Sequence, residues 1–154
     1  MPRWPVVAVL CAVSLLAGPR AVAQNSELRI DELFTWLDDP TRQWLATAEL
    51  QRVPTLAVPR LLEPNRLVFG PHGSFSAPLL ALTKIGEPAI PQIVSHIRRV
   101  WNGPPTERGY GLHASIAVLG AIGPAAVPAL IEIVDSTGAD DDATKPALDA
   151  IVQM

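Results

Sequence analysis

The sequence is short of cysteine, of basic charge and of any strand pattern. A single cysteine, Cys11, among 154 residues excludes an intrachain disulfide framework and a cysteine-rich zinc site. Twelve Lys and Arg against fifteen Asp and Glu leave a formal charge of −3, without the basic surplus that a nucleic-acid binder needs. Period-two alternation is absent, and Leu67-Val68-Phe69 is too short to make a strand. Yet 49% of the residues are hydrophobic and 18% charged, which excludes a disordered polar tail and suits one domain or a short repeat array. Proline is in excess, at 16 residues or about twice its usual share of roughly 5%.

The first 23 residues read as an export address. Arg3 supplies a positive start, and Val6 to Ala17 form an apolar run broken only by Ser14. Gly18 and Pro19 end the run, and Ala21-Val22-Ala23 is a small-x-small cleavage signal before Gln24. The run is about 12 residues, short of the roughly 20 that a spanning helix needs, so a cleaved signal is expected in preference to a retained anchor. Cys11 lies inside the run and not after a cleavage point, which argues against a lipid anchor. Cleavage after Ala23 removes Arg3, Arg20 and the cysteine, leaving residues 24–154 with fifteen acids against ten bases. The expected location is periplasmic or secreted, in a bacterial-type cell.

Three segments align without gaps. Leu50 to Leu62, Leu82 to Val94 and Leu119 to Ile131 share one pattern at offsets of 32 and 37 residues. A fourth, partial copy runs Ala147-Leu148-Asp149-Ala150-Ile151, with Leu148 aligned to Leu119. In each unit a leucine and a β-branched residue three positions on (Leu82 and Ile85, Leu119 and Ile122) mark one face of a helix. Gly86 and Gly123 stand where that helix should end in a left-handed cap, and Pro54 stops it in the first copy. A second helix follows with its prolines in the first turn, where a missing N–H removes no helical bond. Ile90, Ile93, Val94 and Ile97, like Val127, Leu130, Ile131 and Val134, follow the i, i+3, i+4, i+7 rule.

These units predict a lone helix over 28–37, then hairpins of 41–52 with 56–62, 77–85 with 89–100 and 112–122 with 125–134, and a final helix over 143–152. Asp39 and Asp142 lie near helix starts, where a carboxylate complements the dipole. The repeat units are thus about 41–62, 77–100 and 112–134, with a partial one at 143–154.

The segment Leu33-Phe34-Thr35-Trp36-Leu37-Asp38-Asp39-Pro40, followed by Arg42, Ala46 and Leu50, resembles the junction between HEAT repeats. The pattern Ala-Leu-x-x-Ile-Gly-x-x-Ala-Ile-Pro at 81–91, nearly repeated at 118–128, is similar to the short HEAT-like repeats of the phycobilin-lyase type. The resemblance covers about residues 31–154. Ankyrin and tetratricopeptide units match the spacing better than the roughly 40–47 residues of HEAT units, but their signature residues are missing. The fold implied is all-α, a short right-handed α-solenoid of about three stacked hairpins with partial terminal ones.

The side chains that could carry chemistry are few. His72, His96 and His113 have no ligand spacing between them, so no metal or cofactor is expected. Asp140-Asp141-Asp142 lacks the glutamate of a calcium loop, since position twelve from Asp140 is Ile151. Ser74 lies two residues from His72, but no third member of a nucleophilic triad is identifiable. The long junctions 63–76 and 101–111 hold Arg66, Phe69, His72, Phe75, Trp101, Arg108 and Tyr110, an aromatic and arginine content that suits a binding edge. On the second helices the polar positions are Arg60, Gln92, Ser95, His96, Arg99 and Glu132, a mixed charge that suits a peptide better than a phosphate-rich ligand.

The expected function is a non-enzymatic scaffold binding a protein or peptide through Arg60, Gln92, His96, Arg99, Trp101, Arg108, Tyr110 and Glu132. It involves no nucleic acid, and no membrane once the signal is cleaved. The alternatives are a regulatory or recruiting subunit of an enzyme complex, and the bilin-lyase-like enzyme that the repeat resemblance implies; export would remove such an enzyme from cytoplasmic pigment assembly. At the C-terminus, Ala147, Leu148 and Ile151 form an apolar face without a following helix. The expectations there are self-association, folding back, or a truncated reading frame.

Overall fold

The computed structural model describes residues 29–104, 109–137 and 141–154, so the expected export signal over residues 1–23, Arg108 and Asp140 lie outside it. Among the described residues there are eight α-helices and no strand. They are α1 (29–37), α2 (Gln43–Gln51), α3 (Pro54–Leu61), α4 (Ala77–Ile85), α5 (Ile90–Trp101), α6 (Gly109–Ile122), α7 (Val127–Thr137) and α8 (Asp141–Val152). The Asp39 carboxylate accepts the Thr41 N–H at 2.9 Å and the Thr41 hydroxyl at 2.7 Å, ordering the turn that leads into α2. Those two bonds, the hydroxyl's first, hold the Asp39 carboxyl below its ordinary range.

Helix starts follow the prolines. Short 3₁₀ turns, Glu87–Ala89 and Pro124–Ala126, precede α5 and α7 and leave Pro91 and Pro128 as the second residue of each helix. The first copy departs from this plan. Pro54, with its ring already set at a helical φ, opens α3 two residues earlier than the spacing predicts, so the equivalent Pro59 falls inside the helix.

Gly86 and Gly123 end α4 and α6 at φ 72° and 92°, with ψ −138° and −154°. The positive φ agrees with the expected cap, but the extended ψ places both in a region open essentially to glycine alone. A Cβ on Gly123 would meet nothing within 4 Å, so the backbone alone sets the cost of adding one. Gly123→Ala is expected to lose about 1–3 kcal/mol in urea unfolding. A loss under about half a kcal/mol would mean that the turn relaxes freely.

The repeated positions share their burial. Leu50, Leu82 and Leu119 have no exposed surface, nor do Ala57, Ala89 and Ala126, nor Leu61, Ile93 and Leu130. All belong to one hydrophobic cluster, which extends from Ile30, Leu33, Phe34 and Leu37 of α1 to Ala143 and Ala147 of α8. Helix α2 packs on α4, α4 on α6 and α6 on α8, while α3 packs on α5 and α5 on α7. Hairpin partners also meet, α2 with α3 and α6 with α7.

The last helix corrects the expected register. Leu148, aligned in sequence with Leu119, is 47% exposed, whereas Ala143 and Ala147 are fully buried. Helix α8 lies against both α6 and α7. The approach is close because it runs through small residues: a Cβ on Gly120 would stand 3.0 Å from that of Ala150. Alanines at 143, 147 and 150 share one face at i, i+4, i+7, and turning that face inward leaves Leu148 outside. Thus Ala147 is covered, Ile151 is half-buried, and Leu148, Val152 and Met154 form the exposed apolar remainder.

Candidate functional site

The polar stripe of α5 faces a groove of about 310 Å³ between α3 and α5. Gln92, Ser95, His96 and Arg99 line one side, at the i, i+3, i+4, i+7 spacing that puts them on one helix face, and Pro59 and Leu62 line the other. Pro59 is exposed at the groove, whereas Leu62 lines it from within the hydrophobic cluster that also holds Ala57, Val58 and Leu61. The opposite face of α5 is anchored by Ile93, Ile97 and Val100.

His96 is only 5% exposed. An Arg99 NH2 group donates to its Nδ1 at 2.9 Å, which assigns the proton of the neutral ring to Nε2. That Nε2 is buried and has no hydrogen-bond partner. Burial first, and then the Arg99 guanidinium, push the imidazole down to about 4 from its ordinary 6.5. His96 is therefore neutral at physiological pH and serves as an acceptor for Arg99. Ser95 is committed locally, donating to the Pro91 carbonyl at 2.8 Å.

Three other expected contributors are placed apart from this cluster or occupied within the fold. Arg60 reaches Asp31 of α1 at 2.5 Å and Glu63 at 3.2 Å, and lies over the Phe34 ring at 5.9 Å. Glu132 of α7 pairs with Arg98, the neighbour of Arg99 that points elsewhere. Trp101 is half-buried against the hydrophobic cluster. Arg108 lies outside the described residues, as does the side chain of Tyr110.

The junction 63–76 is a folded knuckle. Phe69 and Phe75 form an isolated antiparallel bridge with ring centroids 6.0 Å apart, and the Gly70 N–H donates to the Ser74 carbonyl at 2.8 Å. The Ser74 hydroxyl donates to the Pro71 carbonyl at 2.8 Å, which closes the turn. Arg66 stacks over Phe34 at 4.3 Å and meets Glu63 at 3.5 Å, tying the junction to α1. The side chain of His72 lies outside the described set.

Two further grooves escaped the sequence reading. One, of about 410 Å³, lies between α2 and α4, where Trp44 is 70% and Leu80 40% exposed. The other, of about 500 Å³, runs between α6 and α8 past Phe75, His113, Gly120 and Asp149. Trp44, Thr47, Ala48 and Gln51 do share one helical stripe, so the first was visible as a second stripe opposite Ala46 and Leu50. The second depends on where α8 docks.

Among the described residues no group of three or more His, Cys, Asp or Glu could hold a metal ion, and no helix is long and apolar enough to cross a membrane. No family model, curated protein or solved structure matches the chain.

Proposed function

We propose that the protein is an exported, non-enzymatic HEAT-like scaffold that holds a protein or peptide partner in the groove between α3 and α5. On this reading α2, α4, α6 and α8 are successive first helices of a short α-solenoid, and α3, α5 and α7 are the second helices of the same stack. Its support is the order of packing, each helix on its equivalent in the next unit, and the burial shared by positions 50, 82 and 119. The observation that carries the binding assignment is the groove itself, where a polar stripe from Gln92 to Arg99 faces the apolar pair Pro59 and Leu62. Polypeptide ligands combine apolar and polar groups in this way. Export rests on the N-terminal pattern of Arg3, the apolar run and Ala21-Val22-Ala23.

Expressed from the full sequence, the protein should be recovered outside the cytoplasm beginning at Gln24. A partner that co-purifies with it from that compartment should be lost when Arg99→Glu or, at the exposed apolar side of the groove, Pro59→Asp is introduced. Undiminished capture by both variants would remove the groove from the assignment, and recovery of uncleaved chain in the cytoplasm would end the export reading.

A further inference from the structure

The groove carries a cation that the fold does not neutralise. Two of the arginines that α3 and α5 contribute are neutralised, Arg60 by Asp31 and Glu63 and Arg98 by Glu132. Arg99 has no carboxylate partner among the described residues; its recorded bond is the one to His96 Nδ1, which uses one of five guanidinium donors. The His96 Nε2–H is buried with no partner and, with essentially no exposed surface, is not presented to a ligand in the groove. Gln92 adds an amide one helical turn before His96. Leaving the guanidinium donors unanswered costs free energy in proportion to how far they are shielded from water.

We infer that this groove takes an aspartate or glutamate side chain of a polypeptide partner, with Arg99 as the anchor. The inference rests on the peptide-binding reading above and names the chemistry of its ligand. A carboxylate brings a negative charge and two acceptor oxygens to the Arg99 guanidinium, whereas a neutral hydroxyl or amide brings no charge to match it. The apolar walls at Pro59 and Leu62 exclude water on one side, which strengthens a charge-assisted bond. The carboxylate comes from a side chain and not from a chain end. Terminal carboxylates are captured by nests of free backbone N–H groups, and residues 94 to 99 lie inside α5, where each N–H is already bonded within the helix.

The test uses the purified protein and synthetic octapeptides, acetylated and amidated and randomised at every position, with a parallel set ending in a free carboxylate. Aspartate and glutamate should be enriched among the bound amidated peptides. The best of them should bind roughly tenfold or more weakly to Arg99→Gln, and Arg99→Glu should turn the preference toward lysine and arginine. The His96 imidazole resonances should move on binding and titrate at higher pH in the complex, a response that a purely structural Arg99 would not produce. Arg99 is exposed, so unchanged thermal unfolding of the variants verifies their fold.

Binding without acid enrichment would overturn the carboxylate assignment and leave the peptide-binding reading standing. Binding confined to the free-carboxylate set would overturn the side-chain source. Unmoved His96 resonances would place the peptide elsewhere, and no binding by either set would overturn both readings.

Discussion

Between pH 6.5 and pH 4 the protein is expected to lose on the order of 3 kcal/mol of folding stability through His96 alone. The unfolded imidazole takes up its proton near 6.5, whereas in the folded protein burial and Arg99 hold it neutral down to about 4. In that window the unfolded state carries the extra proton, so stability falls as pH falls, at about 1.4 kcal/mol per pH unit. Above pH 6.5 both states are neutral at this site and the contribution is complete; below pH 4 both are protonated and no more is lost. Urea unfolding at closely spaced pH values measures the slope, and subtracting the same curve for His96→Leu isolates the histidine from the carboxylates that titrate nearby. An identical slope in the variant would show that His96 is accessible to solvent protons in the folded state.

The other large effect lies in the apolar interior. Leu82→Ala should destabilise by about 2–5 kcal/mol, because the side chain has no exposed surface and its removal leaves a cavity among close-packed neighbours. For a domain whose total stability is about 5–15 kcal/mol, that approaches loss of the fold. Leu50→Ala and Leu119→Ala, at the equivalent and equally buried positions, should fall in the same range. Leu148→Ala should cost far less, about 0.5 kcal/mol, since Leu148 is 47% exposed despite its alignment with the other three. Equal losses at Leu82 and Leu148 in chemical denaturation would mean that α8 packs in the register that sequence alignment expects and not in the one described above.

That contrast shows where reading from sequence succeeds. Apolar spacing within 82–97 and 119–134 locates α4 to α7 because a helix face is set by residues three and four apart, a purely local property. Gly86 and Gly123 mark their breaks for an equally local reason, the positive φ that other residues avoid. Pro59 is the local exception: its spacing matched Pro91 and Pro128, but the start of α3 was decided five residues earlier by Pro54. The candidate site was legible in part. Gln92, His96 and Arg99 sit on one face of one helix, so their company followed from spacing, whereas nothing local distinguishes Arg60 and Glu132 from them.

Sequence alone therefore sufficed for the existence of the helices, the breaks at Gly86 and Gly123 and the buried Leu50, Leu82 and Leu119, all of which depend on neighbours within a few residues. The tertiary structure decided which charges remain available. Arg60 is drawn away by Asp31 from 29 residues upstream and Glu132 by Arg98 from the adjoining unit, pairings that exist only once separate helices are brought together. It also buried His96 and turned Ala147 inward in place of Leu148, because the room left between packed helices, and not the identity of a side chain, determines which residue can fill it.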